Sequence, residues 1–172
     1  MKALLSIILL SFSFLGQAQE REFPQNWEGN WKGKLNWFRT GNTEPQQVDM
    51  ELRIHKSASG WSWHIIYGTE KEDSRPYILK PADSTGIHWV IDENNGIVLD
   101  QFWIADKFSG AFTVMNSTLM NSYQLLGDSL VVEFYSFGAK PLNTTGGGTA
   151  ENPKVDSYRI GAYQKAVLYR RQ

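Results

Sequence analysis

The feature that most constrains the fold of this chain is a series of short apolar-rich runs that recur roughly every ten residues, separated by turn-forming residues. The clearest run, residues 48–55, alternates strictly between apolar and polar or charged side chains, which is the period of a half-buried strand. No stretch after residue 18 shows a helical period over eleven or more residues. Similar runs cover residues 31–39, 61–67, 75–80, 87–91, 97–103, 108–115, 118–126, 130–137 and 155–171. The pattern predicts an all-β chain of about ten strands.

The connections between these runs are short and contain Gly, Asn, Asp or Pro. Short connections favour antiparallel neighbours, because parallel strands need a crossover of a dozen or more residues. A sheet of about ten strands removes its exposed edges by closing into a barrel. We therefore expect one domain, residues 19–172, folded as a single antiparallel up-and-down barrel.

One connection is much longer than the others. Residues 138–154 include Pro141 and Gly146-Gly147-Gly148, a composition typical of a mobile loop, here near one mouth of the barrel. The three glycines lack a following Gly-Lys-Ser/Thr and a helix, so they do not predict a phosphate cradle. We expect residues 155–171 to form one long last strand after this loop.

The first 18 residues have the pattern of a signal peptide. Met1-Lys2 gives a positive start, residues 3–16 are mostly apolar, and Gly16-Gln17-Ala18 places small residues at the cleavage site. The apolar run is shorter than the roughly 20 residues that a membrane span requires. We expect cleavage after Ala18 and a secreted or periplasmic protein of a bacterial host.

Composition excludes several function classes. A formal charge of −1 offers no basic field for nucleic acid, and the absence of Cys removes disulfides, thiolate metal sites and a cysteine nucleophile. The sequence has no His-x-His, no Glu-x-x-His and no Gly-x-Ser-x-Gly, and Asp92 and Glu93 are expected to be solvated turn residues.

In an outer-membrane barrel, Asp49, Glu51 and Arg53 would face lipid, which is unfavourable. We expect a monomer outside the membrane, with no metal site and no catalytic residue.

The start of the first predicted strand, Gly29-Asn30-Trp31, resembles the Gly-x-Trp signature of the lipocalins and the wider calycin superfamily. In that family the Trp packs across the barrel base and a basic residue of a late strand covers it. The resemblance implies that Arg170 or Arg171 has this role and that the barrel holds a small ligand. Lipocalins usually have eight strands and a C-terminal helix, whereas fatty-acid-binding barrels have ten strands and a helical lid that residues 40–46 are too short to form. The chain is therefore similar to a divergent lipocalin.

The candidate ligand-binding residues are aromatic side chains on the predicted inward faces, together with one arginine. Arg75-Pro76-Tyr77 weakly resembles a segment of barrel-type bilin lyases, which hold a tetrapyrrole. We expect Arg75 to pair with a ligand carboxylate and thereby to favour anionic amphiphiles. The predicted ligand-binding residues are Trp63, Tyr67, Arg75, Tyr77, Trp89, Phe112 and Phe134.

The leading hypothesis is an exported protein that binds a small hydrophobic or amphipathic molecule and needs no cofactor. One alternative is an enzyme on the same barrel, with bilin-lyase-like or isomerase-like chemistry. Another is a barrel whose aromatics fill the core and whose role is structural or in protein interaction. His64 or His88 would serve as an axial ligand if it projected into the lumen and the cavity held haem or another tetrapyrrole. The alternative is that both histidines lie on the outer face or are hydrogen-bonded within the wall.

Overall fold

The computed structural model describes residues 23–171, and the predicted signal peptide lies outside this range. A single turn of 3-10 helix, η1 (Gln25–Trp27), precedes the first strand. The strands are β1 (Gly29–Arg39), β2 (Gln46–Ile54), β3 (Lys56–Ser57), β4 (Gly60–Tyr67), β5 (Asp73–Pro81), β6 (His88–Asp92), β7 (Val98–Ile104), β8 (Lys107–Val114), β9 (Ser117–Leu126), β10 (Ser129–Gly138), β11 (Asn143–Thr145), β12 (Val155–Ser157) and β13 (Ile160–Arg171). None of the helical structure in residues 23–171 is long and apolar enough to cross a membrane.

Ten of these strands form a closed antiparallel barrel, which confirms the predicted fold class. The order around the barrel is β2-β1-β13-β10-β9-β8-β7-β6-β5-β4, and pairing of β2 with β4 closes it. The short strand β3 continues the line of β2 and pairs with the start of β4. Closure pairs every barrel strand on both sides, so the sheet has no long free edge.

The prediction of one long strand over residues 155–171 is wrong. β13 begins at Ile160, and Val155–Ser157 instead pairs with Asn143–Thr145 in a separate two-stranded hairpin. The physical reason is the length of the neighbouring strand: β10 ends at Gly138, whose N–H donates to Arg159 O, so residues 155–157 have no barrel strand beside them. Their backbone groups pair instead with residues 143–145 of the long connection, and Ser157 O accepts a hydrogen bond of 2.7 Å from Leu142 N.

Aromatic side chains fill one end of the barrel, which we call the base. Strand alternation points Trp61, Trp63 and Ile65 of β4 inward, and the segment before β1 adds Phe23 and Trp27 from below. The Phe23 ring centroid lies 5.0 Å from that of Trp89 and 4.8 Å from that of Phe108. The base is therefore a packed core.

Trp31 holds the start of β1 in this base. Its side chain is fully buried, and its indole Nε1 donates a hydrogen bond of 2.8 Å to Trp27 O. The guanidinium carbon of Arg170 lies 4.5 Å from the centre of the Trp31 ring, and Arg170 Nη2 donates to Asn26 O at 2.8 Å. The expectation that a basic residue of the last strand covers this tryptophan is confirmed for Arg170.

The opposite end of the barrel is its mouth. Because neighbouring barrel strands run antiparallel, alternate connections lie at the same end. The connections at the mouth are residues 40–45, 68–72, 93–97, 115–116 and 139–159. The base is thus closed by side chains and the mouth is bordered by turns.

Candidate functional site

A cavity of about 380 Å³ occupies the mouth half of the barrel interior. Its size lies within the usual range for small-molecule sites, roughly 300–1,000 Å³. The lining residues are Leu35, Trp37, Val48, Ile65, Tyr67, Asp73, Arg75, Tyr77, Glu93, Leu99, Phe112, Leu119, Asn121, Tyr123, Phe134 and Gln164. The interior is therefore packed at the base and open in the mouth half. The filled-core alternative would require side chains to pack the whole interior.

Arg75 lies at the mouth of the cavity and is already paired. Its Nε donates to Asp73 Oδ1 at 2.9 Å and its Nη2 donates to Asp73 Oδ2 at 2.7 Å. The guanidinium carbon also lies 4.9 Å from the centre of the Tyr67 ring. The hydrogen bonds from Arg75 hold the pKa of Asp73 below its usual value. Both members of the pair are thus kept charged and oriented toward each other.

Glu93 is the second carboxylate in the cavity lining, and it is half-buried. Its Oε2 accepts a hydrogen bond of 3.2 Å from Asn95 Nδ2, and no Lys, Arg or His within residues 23–171 forms an ion pair with it. Burial raises the pKa of the neighbouring Tyr77 phenol, and the Glu93 charge raises it further. The lining therefore carries two carboxylates, Asp73 and Glu93, against one guanidinium.

Two buried amide side chains point inward deeper in the barrel, from β7 and β9, on either side of β8. Asn121 lines the cavity with 4% of its surface exposed, and its Oδ1 has no hydrogen-bond partner among residues 23–171. Gln101 is fully buried, and neither Oε1 nor Nε2 of its side chain has a partner in the same range. Gly110 separates them: it pairs with Asn121, and a Cβ built on it would lie 2.2 Å from Gln101 Nε2.

Unpaired buried amides of this kind are uncommon, because each unmade hydrogen bond costs about 1–3 kcal/mol. Most buried polar groups in folded proteins have a partner in the protein or in ordered water. The Asn121 oxygen is therefore available to a hydrogen-bond donor that enters the cavity. Burial also raises the pKa of the adjacent Tyr123 to about 12, so this phenol stays neutral at physiological pH.

The structure brings five of the seven predicted ligand-binding residues to the cavity: Tyr67, Arg75, Tyr77, Phe112 and Phe134. The other two, Trp63 and Trp89, point inward as predicted but lie in the base. The Trp63 ring is 4.9 Å from the Tyr123 ring, and Trp89 Nε1 donates to Gly86 O at 3.0 Å. Alternation along a strand predicts the face of a residue but not its height in the barrel, which explains the difference.

The two histidines considered for haem ligation lie on the outer face, because their neighbours along the strand point inward. His64 Nε2 is 2.8 Å from Ser74 Oγ. His88 Nε2 is 2.7 Å from Asp100 Oδ1, and its ring stacks on Phe102 with centroids 4.4 Å apart. Neither imidazole reaches the cavity, so neither is placed to contact iron there.

Sequence reasoning missed the polar residues of the cavity. Asn121 alternates with Leu119 and Tyr123 on β9, so the same two-residue period would have placed it inward. Glu93 was expected to be a solvated turn residue, and only the fold shows that its turn borders the mouth. Asp73 shares a face with Arg75, and that spacing was the available signal for their pairing.

No protein-family model matches this chain, and a search of curated proteins found no relative.

Proposed function

We propose that this chain is an exported, lipocalin-like binding protein that holds a small hydrophobic or amphipathic molecule in the cavity of the barrel. The observation that carries the proposal is a cavity with an apolar wall and a few convergent polar groups, one of which is the unpartnered Asn121 oxygen. Leu99, Phe112 and Phe134 supply apolar surface against which a ligand body would be desolvated. The covered Trp31 supports the likeness to lipocalins.

The titratable groups of the cavity favour binding over catalysis. A general acid or base works best when its pKa lies near the working pH. Burial raises the pKa values of Tyr67 and Tyr77, and Arg75 lowers that of Asp73, so these groups are moved away from neutrality. The enzyme alternative therefore receives no support from these groups.

The proposal is tested with N-phenyl-1-naphthylamine, a neutral apolar dye whose fluorescence rises in apolar surroundings. The variant Leu99→Trp should fill the cavity and weaken dye binding at least about tenfold, because Leu99 is part of the lining. The matched control is Phe102→Trp on the same strand, which adds an indole on the outer face, where Phe102 is 42% exposed. Binding that is absent in the wild type, or equal in all three proteins, would refute a cavity ligand.

Export is a separate part of the proposal and rests on the signal-peptide pattern of residues 1–18. Expression of the full chain in a bacterial host should give a mature protein that starts at Gln19 or a neighbouring residue. Intact mass measurement of the periplasmic and secreted fractions checks this. Recovery of the chain with Met1 still attached from those fractions would contradict export by cleavage.

A further inference from the structure

The charged residues that line the cavity do not favour the anionic ligand that Arg75 alone would suggest. Arg75 Nε and Nη2 both donate to the Asp73 carboxylate, and the guanidinium also packs on the Tyr67 ring. Asp73 already occupies the Nε/Nη2 edge of the guanidinium with two charge-assisted hydrogen bonds and neutralises its charge, so a ligand carboxylate would gain less from Arg75. It would also approach Glu93, a like charge in the same lining. The expectation of an anion-selective site therefore does not fit this geometry.

In the part of the chain that the structure describes, the polar atoms without a partner in the lining include one donor, the indole Nε1 of Trp37, and acceptors. Glu93 has a carboxylate without an ion-pair partner among residues 23–171, and Asn121 has an amide oxygen without any partner there. Only 4% of the Asn121 surface is exposed, so bulk water does not supply the missing hydrogen bond. The lining thus has one carboxylate more than it has cations, and the Arg39 guanidinium lies outside it, 4.5 Å from the centre of the Trp37 ring.

We infer that the cavity selects an amphiphile with a cationic amine headgroup over the same molecule with a carboxylate. The ammonium group would pair with Glu93 near the mouth. The apolar body would lie against Leu99, Phe112 and Phe134. Such a ligand adds an ion pair without breaking the contact between Asp73 and Arg75. This inference rests on the proposed function, because it names the ligand class of the same cavity.

The test compares three probes with the same eight-carbon body: octylamine, octanoate and 1-octanol. Each displaces N-phenyl-1-naphthylamine from the full mature chain at neutral pH, where the amine is protonated and the acid ionised. We expect octylamine to bind at least about tenfold more tightly than octanoate, as one favourable charge interaction implies. 1-Octanol should lie between them.

The variant Glu93→Gln removes the charge and keeps the size of the side chain. It should weaken octylamine about tenfold while leaving the affinity for 1-octanol unchanged, which also shows that the barrel and its cavity are intact. The matched control is Glu44→Gln, an exposed residue in a mouth connection outside the lining. It removes the same charge from the same end of the barrel and should leave all three affinities unchanged.

The outcomes separate this inference from the function on which it rests. If 1-octanol binds but octanoate binds as tightly as octylamine, the amine preference is wrong and the binding function stands. If Glu93→Gln weakens 1-octanol as much as octylamine, or Glu44→Gln has the same effect as Glu93→Gln, then Glu93 does not recognise the headgroup and the inference is overturned. If neither the dye nor any probe binds the wild type, both proposals fail.

Discussion

Arg170 links the start of β1 to the end of β13 at the barrel base. Its side chain packs over the Trp31 ring, donates to Asn26 O and runs beside Gly29, where a Cβ would lie 3.3 Å from Arg170 Cγ. Gly29 also has a φ of +143°, a conformation that favours glycine. The glycine and the tryptophan of the Gly-x-Trp motif therefore both pack against the Arg170 side chain.

We predict that Arg170→Ala lowers the free energy of unfolding by about 1 kcal/mol more than Arg171→Ala does. Arg170→Ala removes a cation–π contact and a hydrogen bond, which together contribute about 1 kcal/mol at a partly exposed site. Arg171→Ala removes the same charge at the next position of β13, so it is the matched control. Urea unfolding followed by tryptophan fluorescence measures both, and equal losses would show that the contact with Trp31 contributes nothing.

At the residue scale, the sequence predicted which side chains point inward far better than what they contact. The two-residue period placed Tyr67, Arg75 and Tyr77 on the inner face, and all three line the cavity. It did not show that Arg75 would be paired with Asp73, because that depends on side-chain conformations that alternation leaves open. The anionic preference expected from the sequence assumed an unpaired Arg75, and it stays a prediction.

At the scale of elements, neighbouring strands decided what the local pattern could not. The sequence pattern of residues 155–171 predicts one strand, yet only Ile160–Arg171 has a barrel neighbour along its length.

The spacing between strands also requires particular small residues. Gly33 lies on the inner face of β1 between Trp31 and Leu35, and a Cβ there would lie 2.3 Å from Val167 O of β13.

We predict that Gly33→Ala destabilises the protein by about 1–3 kcal/mol, because the added methyl group would force β1 and β13 apart. The matched control is Gly138→Ala at the end of β10, where the nearest atom to a Cβ is Lys140 O at 3.5 Å. That substitution should change the free energy of unfolding by less than about 0.5 kcal/mol. Chemical unfolding of both variants provides the comparison, and a Gly33→Ala loss no larger than that of the control would contradict the close approach.

At the scale of the whole molecule, buried phenols couple the stability of the barrel to alkaline pH. Burial raises the pKa of Tyr67 on β4, and that of Tyr163 on β13, which also donates a hydrogen bond of 2.7 Å to Glu133 Oε1. Burial raises the pKa of Tyr123 on β9 from 10.0 to about 12. A phenol whose pKa is raised by folding stabilises the native state fully below its unfolded value. That contribution is lost as the pH rises through the folded value, because the unfolded chain releases its proton first.

We predict that the free energy of unfolding falls between about pH 8 and about pH 11.5, and that Tyr123→Phe removes about 2 kcal/mol of this fall. The Tyr123 side chain is 1% exposed, so solvent screening hardly reduces the effect. Tyr169→Phe is the matched control, since that phenol is 51% exposed on the last strand. Urea unfolding of the three proteins at both pH values gives the loss of unfolding free energy for each. The titration of lysines and arginines cancels when the loss in each variant is compared with that in the wild type. A fall in Tyr123→Phe as large as that in the wild type would mean that the Tyr123 phenol ionises as easily in the barrel as in the unfolded chain.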